Sequence, residues 1–197
     1  RLPEGNTKKI GLTRIHIEED SGKSIHDIDP FNSLVDLNRA GVPLIEIVTE
    51  PEIASADEAY EYLMEMRKLV RYLDICDGNM EEGSMRCDAN ISVMKLDAKE
   101  FGEKVEVKNM NSMRSVKRAI DFEINRQIEL VEKNETIHSE TRGFDATSGI
   151  TIGMRGKEGV NDYRYFPEPD LLPYIVTPEK IESVKADMPT LPNTLLK

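Results

Sequence analysis

Short runs of alternating apolar and polar residues, seldom separated by helices, constrain the fold of this chain most. The runs cover residues 8–19, 33–38, 43–48, 85–94, 104–109 and 150–155. Alternation is typical of strands, because successive side chains point to opposite faces of a sheet. A parallel sheet needs a long crossover between its strands, and most of these runs are not joined by one. The pattern therefore predicts an α+β fold, a mostly antiparallel sheet with packed helices.

Three stretches predict helices. Residues 55–74 begin with a capping box at Ser55 and have apolar residues at helical spacing. A shorter helix is expected from Thr177 to Pro189, with a proline at its first position. A further helix is expected to begin near Ser112, and its predicted inward residues are Met113, Val116, Ile120, Ile124, Ile128 and Val131.

The charge balance excludes a broad nucleic-acid-binding surface. The net charge is −11, whereas neutralising phosphates needs an excess of Lys and Arg. Residues 104–126 are the exception, with six basic and three acidic residues, and they suit either a salt-bridged helix or a local anion contact. The two cysteines form no C-x-x-C pair or zinc ligand set. Because no membrane span or signal peptide is visible, we expect a cytoplasmic protein with no membrane partner.

The run MEEGSMRCDANISV, residues 80–93, predicts a strand with two different faces. One face is apolar, and the other carries a cation, a carboxylate and two hydrogen-bonding groups. The apolar residues are Met85, Cys87, Ala89, Ile91 and Val93, and the polar ones are Arg86, Asp88, Asn90 and Ser92. The polar side is either an ordinary solvated face or the floor of an active site.

Two further carboxylates lie where a strand should be apolar. Glu19 continues an apolar face, and Glu46 lies within LIEIV, which has the pattern of a central strand. A buried carboxylate is costly unless a cation or strong donors compensate it. With Asp88, three acids from three strands can converge on one sheet face and hold Mg²⁺. Alternatively, Glu19 ends its strand in solvent and Glu46 pairs with an arginine such as Arg39.

Phosphate handling by a P-loop is excluded, because Gly22-Lys23-Ser24 has Ile17 where the first glycine is required. The segment NDYRYFPEPDLLP, residues 161–173, is predicted to be a rigid loop because its prolines exclude a helix or a central strand. With Arg155 nearby, this segment is either a packed connector or a clamp on an anionic substrate.

Five of these segments together resemble a known family. They are TRIHIEEDSGKSIHD, SLVDLNRAGVPLIEIVTEPEI, DGNMEEGSMRCDANISV, EVKNMNSMRSVKRAI and DYRYFPEPDLLP, in order along nearly the whole chain. They resemble the GatB/GatE family, the B-type subunits of aspartyl/glutamyl-tRNA amidotransferases. The resemblance implies a fold of the glutamine synthetase/guanido kinase type, with the active site on the concave face of an antiparallel sheet.

The resemblance also implies the reaction, its cofactors and its partners. ATP and Mg²⁺ phosphorylate the side-chain carboxylate of Glu-tRNA(Gln) or Asp-tRNA(Asn), and ammonia then displaces phosphate to give the amide. A partner, the amidase (A) subunit, makes the ammonia from glutamine and a channel delivers it, and the small (C) subunit of the amidotransferase is a further partner. This chain would meet the acceptor end of the misacylated tRNA.

The same resemblance implies the metal ligands, and strand position and charge indicate the basic contact residues. Glu19 and Glu46 would contribute to the Mg²⁺ site, and Asp88 would lie beside it, either behind the ligands or handling ammonia. Glu19, Asp88 and Arg86 are the expected catalytic residues. The expected contacts to phosphate or to the acceptor end, besides Arg86, are made by Lys108, Arg155 and Arg164.

The resemblance implies that residues 1–197 are part of one catalytic cradle domain, and the start at Arg1 without a methionine is what we expect of a fragment. An N-terminal strand with further metal ligands and the C-terminal helical and tail domains are expected outside it. We therefore expect the fragment alone to be inactive. The competing hypotheses are a scaffold for tRNA and partner subunits, and a Mg–ATP phosphotransferase acting on a small substrate.

Overall fold

The computed structural model describes residues 7–26, 28–154 and 172–195 of the chain. The chain divides into two compact units, Arg1–Ala54 and Ser55–Lys197. The expectation of a single catalytic domain stays a prediction. In the ranges that the structure describes, every helix is too short or too polar to cross a membrane.

The first unit contains two antiparallel pairs of strands. Its strands are β1 (Leu12–Glu19), β2 (Lys23–Ile25), β3 (Leu34–Asp36) and β4 (Pro43–Thr49). β1 pairs with β4, and β2 pairs with β3. The alternating runs predict β1, β3 and β4 but not β2, whose three residues are too few to show a period.

The second unit combines a four-stranded sheet with helices. Its strand order is β5-β6-β7-β8, in which β6 and β7 are parallel and the other neighbours are antiparallel. The parallel pair is possible because a long helix, α2, connects its two strands. The elements are α1 (Ala56–Tyr72), β5 (Ala89–Ile91), β6 (Val105–Lys108), α2 (Met113–Glu132), β7 (Glu140–Asp145), β8 (Ile150–Gly153), α3 (Pro178–Asp187) and α4 (Pro192–Leu195).

Strand pairing in both units confirms the predicted fold class at the coarse level. Four of the five pairings between described strands are antiparallel, and in the second unit α2 packs against the sheet, as in an α+β fold. The finer expectation, a glutamine synthetase/guanido kinase type of fold, stays a prediction.

Helix starts are where the sequence predicts them. The side chains of Ser55, Ser112 and Thr177 each accept a hydrogen bond from the backbone N–H three residues later, at 3.1, 3.0 and 3.3 Å. These bonds satisfy N–H groups that have no partner inside the helix. The third long helix ends at Asp187, just before Pro189, which confirms the predicted stop.

The core of the second unit lies between α2 and the sheet. Val105 and Val107 of β6 are fully buried, and Val116 and Ala119 of α2 are buried with them. α2 also packs against α1, and it contacts β5 and β8. Removal of this apolar surface from water is the main force holding the helix on the sheet.

The predicted inward stripe of α2 is correct in its first half and wrong in its second. Met113, Val116 and Ile120 are buried, but Ile128 is 40% exposed. Glu123 and Gln127 take the inward positions instead, and both are completely buried. Their burial is possible because the side chains hydrogen-bond to the sheet and to each other.

Two strands differ from the sequence prediction. The run 85–94 forms ladder pairs only over β5, although its side chains alternate between less and more exposed from Met85 to Ile91. β7 is not predicted, because its sequence ETRGFD turns Glu140, Arg142 and Phe144 toward the core side. Two charged residues on an inward face hide the apolar alternation that identifies a strand.

Candidate active site

One face of the four-stranded sheet is lined with polar side chains. In the register, Asn90 lies opposite Glu106, Glu106 opposite Thr141, and Lys108 opposite Gly143. Residues directly opposite each other share a face of the sheet. Asp88, directly before β5, belongs to the same side because its carboxylate reaches Lys108. We call Asp88, Asn90, Glu106, Lys108 and Thr141 the polar face.

Lys108 lies between two carboxylates on the polar face. Its Nζ is 2.5 Å from Asp88 Oδ2 and 3.2 Å from Glu106 Oε1. The other oxygen of Glu106, Oε2, accepts a hydrogen bond from Thr141 Oγ1 at 3.0 Å. The three charged side chains are between 29% and 48% exposed, so the cluster is open to solvent and to a ligand.

The charges of this cluster keep Lys108 protonated. Partial burial opposes the charged form, but hydrogen bonds and the negative charges of Asp88 and Glu106 outweigh it and raise the pKa of Lys108. Two carboxylates and one ammonium carry a net charge of −1 when all three groups are ionised. Arg86, which strand alternation places on the same side as Asp88, adds a positive charge, so these four side chains together carry no net charge.

Cys87 lies beside the cluster, and its surroundings favour the neutral thiol over the thiolate. Burial, followed by the negative charge of Asp88, raises the pKa of the Cys87 thiol to about 12. Its Sγ donates a weak hydrogen bond to the backbone oxygen of Asp88 at 3.8 Å. A neutral thiol is a poor nucleophile, so Cys87 serves as a small packing residue.

The space left by Gly143 on the polar face is filled by the side chain of Asn109, a residue with an unusual backbone conformation. Gly143, opposite Lys108, has no side chain, and a Cβ placed there would approach Asn109 Nδ2 to 3.2 Å. Asn109 follows β6 and has a φ of +64°, a left-handed conformation that asparagine tolerates better than most residues. The Asn109 amide thus lies over the sheet next to Lys108.

Asp88 and Lys108 are both predicted from the sequence as site residues, but not as a pair. Glu106 is missed, although Glu106 and Lys108 are two residues apart in a strand and must share a face. Thr141 is also missed, since β7 gives no signal in the sequence. Arg86 is exposed and precedes β5, so its predicted catalytic role is not tested by the sheet geometry.

In the first unit, the register separates the two predicted metal ligands. Glu46 lies opposite His16 and Glu19 opposite Pro43, and His16 and Glu19 are three residues apart on β1. Side chains an odd number of residues apart point to opposite faces of a strand. The expectation that Glu19 and Glu46 share one face is therefore wrong for the ribbon formed by β1 and β4.

Each of these carboxylates has its own surroundings. Arg14 Nη2 donates to Glu46 Oε1 at 2.7 Å, and Glu19 is exposed. The alternative, in which Glu46 pairs with a nearby arginine, is confirmed, but the arginine is Arg14, and Arg39 pairs with Asp20 at 2.8 Å. Within the described ranges, no group of three or more His, Cys, Asp or Glu side chains is arranged to hold a metal ion. A contribution of Glu19 and Glu46 to a Mg²⁺ site stays a prediction.

The remaining predicted contacts, Arg155 and Arg164, lie outside the described residues, as does most of the segment 161–173. The clamp on an anionic substrate stays a prediction.

Comparison with known proteins places the chain in a family. Residues 2–182 match the GatB/GatE catalytic domain. Three similar proteins are named as the B-type subunits of aspartyl/glutamyl-tRNA(Asn/Gln) amidotransferases. They come from Thermodesulfovibrio yellowstonii (54% identical over 96% of this chain), Rippkaea orientalis (55% over 98%) and Crocosphaera subtropica (56% over 96%). The chain spans about two fifths of their length, 40%, 40% and 39% respectively. The polar face thus lies in a chain that belongs to the GatB/GatE catalytic domain family.

Proposed function

We propose that this chain is the catalytic part of a GatB-type protein that converts Glu-tRNA(Gln), Asp-tRNA(Asn) or both into the amidated forms. The substrate carboxylate attacks the γ-phosphorus of ATP, and ADP leaves. Ammonia then attacks the acyl carbon of the acyl phosphate, loses a proton, and phosphate leaves as the amide forms. The amidase (A) subunit would supply ammonia from glutamine through a channel, and the small (C) subunit would join them in the complex.

The observation that carries this proposal is the Asp88–Lys108–Glu106 cluster on an open sheet face of a GatB/GatE catalytic domain. Its two carboxylates can accept hydrogen bonds from the N–H groups of a ligand. Of the two roles left open for Asp88, the geometry therefore favours ammonia handling. Asp88 and Glu106 would bind the N–H groups of the attacking nitrogen as they now bind those of Lys108.

Lys108 would orient the two carboxylates and contribute one contact to the substrate. An ammonium group has three N–H donors, and Asp88 and Glu106 accept from it in the described part of the chain. A third donor can reach an oxygen of the substrate carboxylate or phosphate. Fixed donors of this kind stabilise the charge that develops during the reaction, because they need no rearrangement to do so.

Magnesium and ATP stay in the proposal on the strength of the family resemblance alone. Because Glu19 and Glu46 lie on opposite faces of their ribbon, no step is assigned to a metal held by the pair. When bound, Mg²⁺ would neutralise the charge of the phosphates during transfer. Catalysis by Glu19 is proposed on the same basis, whereas the roles of Arg86, Arg155 and Arg164 are proposed from their charge and their positions in the sequence.

The test is Lys108→Met in the full-length protein assembled with its partner subunits. We expect tRNA-dependent amidation to fall about 100-fold or more, the usual effect of removing a positioned donor from an active site. Lys117→Met is the matched control, because Lys117 is also a lysine paired with a carboxylate, that of Asp57 on α1. Its activity should stay within about twofold of wild type.

Normal turnover in Lys108→Met, with normal assembly, would contradict the proposed site. Under that result the domain would be a scaffold for tRNA and partner subunits. Phosphate release from ATP that does not depend on tRNA would instead indicate a small-molecule phosphotransferase.

A further inference from the structure

β5, the strand next to the candidate site, is short and lies at the edge of its sheet among the strands that the structure describes. It makes ladder pairs with β6 over three residues only, Ala89–Ile91, and occupies one end of the strand order. An edge strand leaves one row of backbone N–H and C=O groups without a neighbouring strand. Asp88 directly precedes β5, so its position depends on how firmly this strand is held.

The side chain of Gln127 binds the backbone of this strand from α2. Its Nε2 donates to the Ile91 carbonyl oxygen at 3.2 Å, and its Oε1 accepts from the Val93 N–H at 3.2 Å. These two backbone groups are two residues apart, and on an extended chain such groups point to the same side. One amide therefore provides both the donor and the acceptor that a neighbouring strand would provide.

The orientation of the Gln127 amide is determined by a buried carboxylate. Gln127 Nε2 also donates to Glu123 Oε1 at 3.0 Å, and both side chains are completely buried. Because a carboxylate only accepts hydrogen bonds, the NH₂ end of the amide must face Glu123 and the oxygen must face Val93. Glu123 is in turn held by Arg126 at 2.7 Å and by Thr151 Oγ1 at 2.9 Å.

We propose that Gln127 is a positioning residue for the site on the opposite side of the sheet. It fixes the register of β5 and its distance from α2, and so keeps the Asp88 carboxylate within reach of Lys108. This inference rests on the proposed function for its catalytic consequence, but its structural part does not. Gln127 itself is buried behind the sheet and touches no substrate.

The structural part is tested by hydrogen–deuterium exchange of the full-length protein. In wild type, the peptide covering residues 89–94 should show slow exchange at the Val93 amide, because its acceptor is buried. Gln127→Met keeps the size of the side chain but removes both hydrogen bonds. We expect exchange at Val93 to accelerate about tenfold or more, with the peptide covering β6 changed far less.

Asn125→Met is the matched control, since Asn125 is an exposed amide on the same helix and the substitution is chemically similar. It should leave exchange of both peptides as in wild type. Fast exchange at Val93 in the wild-type protein would overturn the proposal without any variant, even if Gln127→Met does not fold. Equal exchange in Gln127→Met and wild type would overturn it as well.

The catalytic part is tested by kinetics of the assembled complex. Gln127→Met should lower kcat for amidation about tenfold and leave KM for the tRNA within about twofold, because the variant displaces a reacting group rather than a binding surface. In combination with Lys108→Met, the two effects should not add, because Gln127 acts through the Asp88–Lys108 pair. Additive effects on kcat would overturn the positioning role.

These outcomes are distinguishable from failure of the proposed function. If Lys108→Met alone has no effect on turnover, the proposed active site is wrong, and the catalytic part of this inference falls with it. The exchange experiment still decides whether Gln127 holds β5, since it does not depend on any activity.

Discussion

The two faces of the four-stranded sheet carry similar clusters of carboxylates and cations in very different surroundings. On the polar face, Lys108 lies between two partly exposed carboxylates. On the opposite face a second cluster, here called the back network, is held against α2. Its members are Glu123, Arg126, Gln127, Glu140, Arg142 and Thr151.

Burial decides what each cluster can do. Glu123 is completely buried, and every partner it has is needed to offset the loss of water around its charge. The Asp88 side chain is 48% exposed, so solvent keeps the cost of its charge low whether or not Lys108 is paired with it. The back network therefore serves the fold, and the polar face remains free to exchange its contacts for those of a substrate.

The largest effect on stability should come from breaking the back network at its centre. Glu123→Ala removes one of the two acceptors of the Gln127 amide and the acceptor of the Thr151 hydroxyl, and it leaves two arginines short of a partner. We expect a loss of about 3 kcal/mol or more in the free energy of unfolding, measured by urea titration. Asp88→Ala on the polar face should cost less than about 1 kcal/mol. Similar losses for the two variants would contradict the assignment of different roles to the two faces.

The pH dependence of stability should also show that the back network contributes to the fold. Burial opposes ionisation of Glu123, but hydrogen bonds from Arg126, Gln127 and Thr151 outweigh it and lower the pKa below its ordinary value of 4.5. The unfolded chain therefore takes up this proton at a higher pH than the folded chain does. The contribution of Glu123 to stability is complete above about pH 4.5 and is lost as the pH falls through the lowered pKa.

The free energy of unfolding is measured in wild type and in Glu123→Gln between about pH 6 and pH 3. These limits lie about 1.5 units on either side of the ordinary pKa of a glutamate. As the pH falls, the free energy of unfolding should decrease less in Glu123→Gln than in wild type. An identical pH dependence in both proteins would show that Glu123 does not titrate as its contacts require.

Two threonines, one on each face of the sheet, allow a matched comparison in which a smaller loss of stability is expected. Thr151 Oγ1 donates to Glu123 and accepts from Arg142 Nε at 2.8 Å, and it is buried. Thr141 Oγ1 donates to Glu106 on the polar face. Thr151→Val should cost about 1–3 kcal/mol because it leaves buried polar groups without a partner. Thr141→Val should cost about 0.5 kcal/mol, and a reversed order would contradict the comparison.

The smallest effect is expected for an ion pair on neither face. Lys117 pairs with Asp57 between α2 and α1, and both side chains are exposed. Solvent and salt screen such a pair strongly. Lys117→Met should leave the urea midpoint unchanged within the error of the measurement, which also qualifies it as the control for Lys108→Met. A clear fall in the midpoint would show that this pair helps to hold α1 on α2.

Sequence patterns predicted the local features of the fold well. Helix starts at Ser55, Ser112 and Thr177 follow from capping side chains within three residues, and the antiparallel class follows from short runs without crossovers. Asp88 and Lys108 were recognised as candidate site residues from their strand positions and charge. These signals depend on residues that are close together in the sequence, so they can be recognised without knowing the tertiary structure.

Only the tertiary structure decided which residues meet. It paired Lys108 with Asp88 and Glu106, buried Glu123 and Gln127 where an apolar stripe should have continued, and added β7 with its charged inward face. It also put Glu19 and Glu46 on opposite faces of their ribbon, against the sequence prediction. Strand register and the partners of buried polar groups depend on contacts between residues far apart in the chain, and a shift of one residue reverses every face. The sequence alone therefore determined the helices, most of the strands and the family, and the pairing of distant residues determined the site.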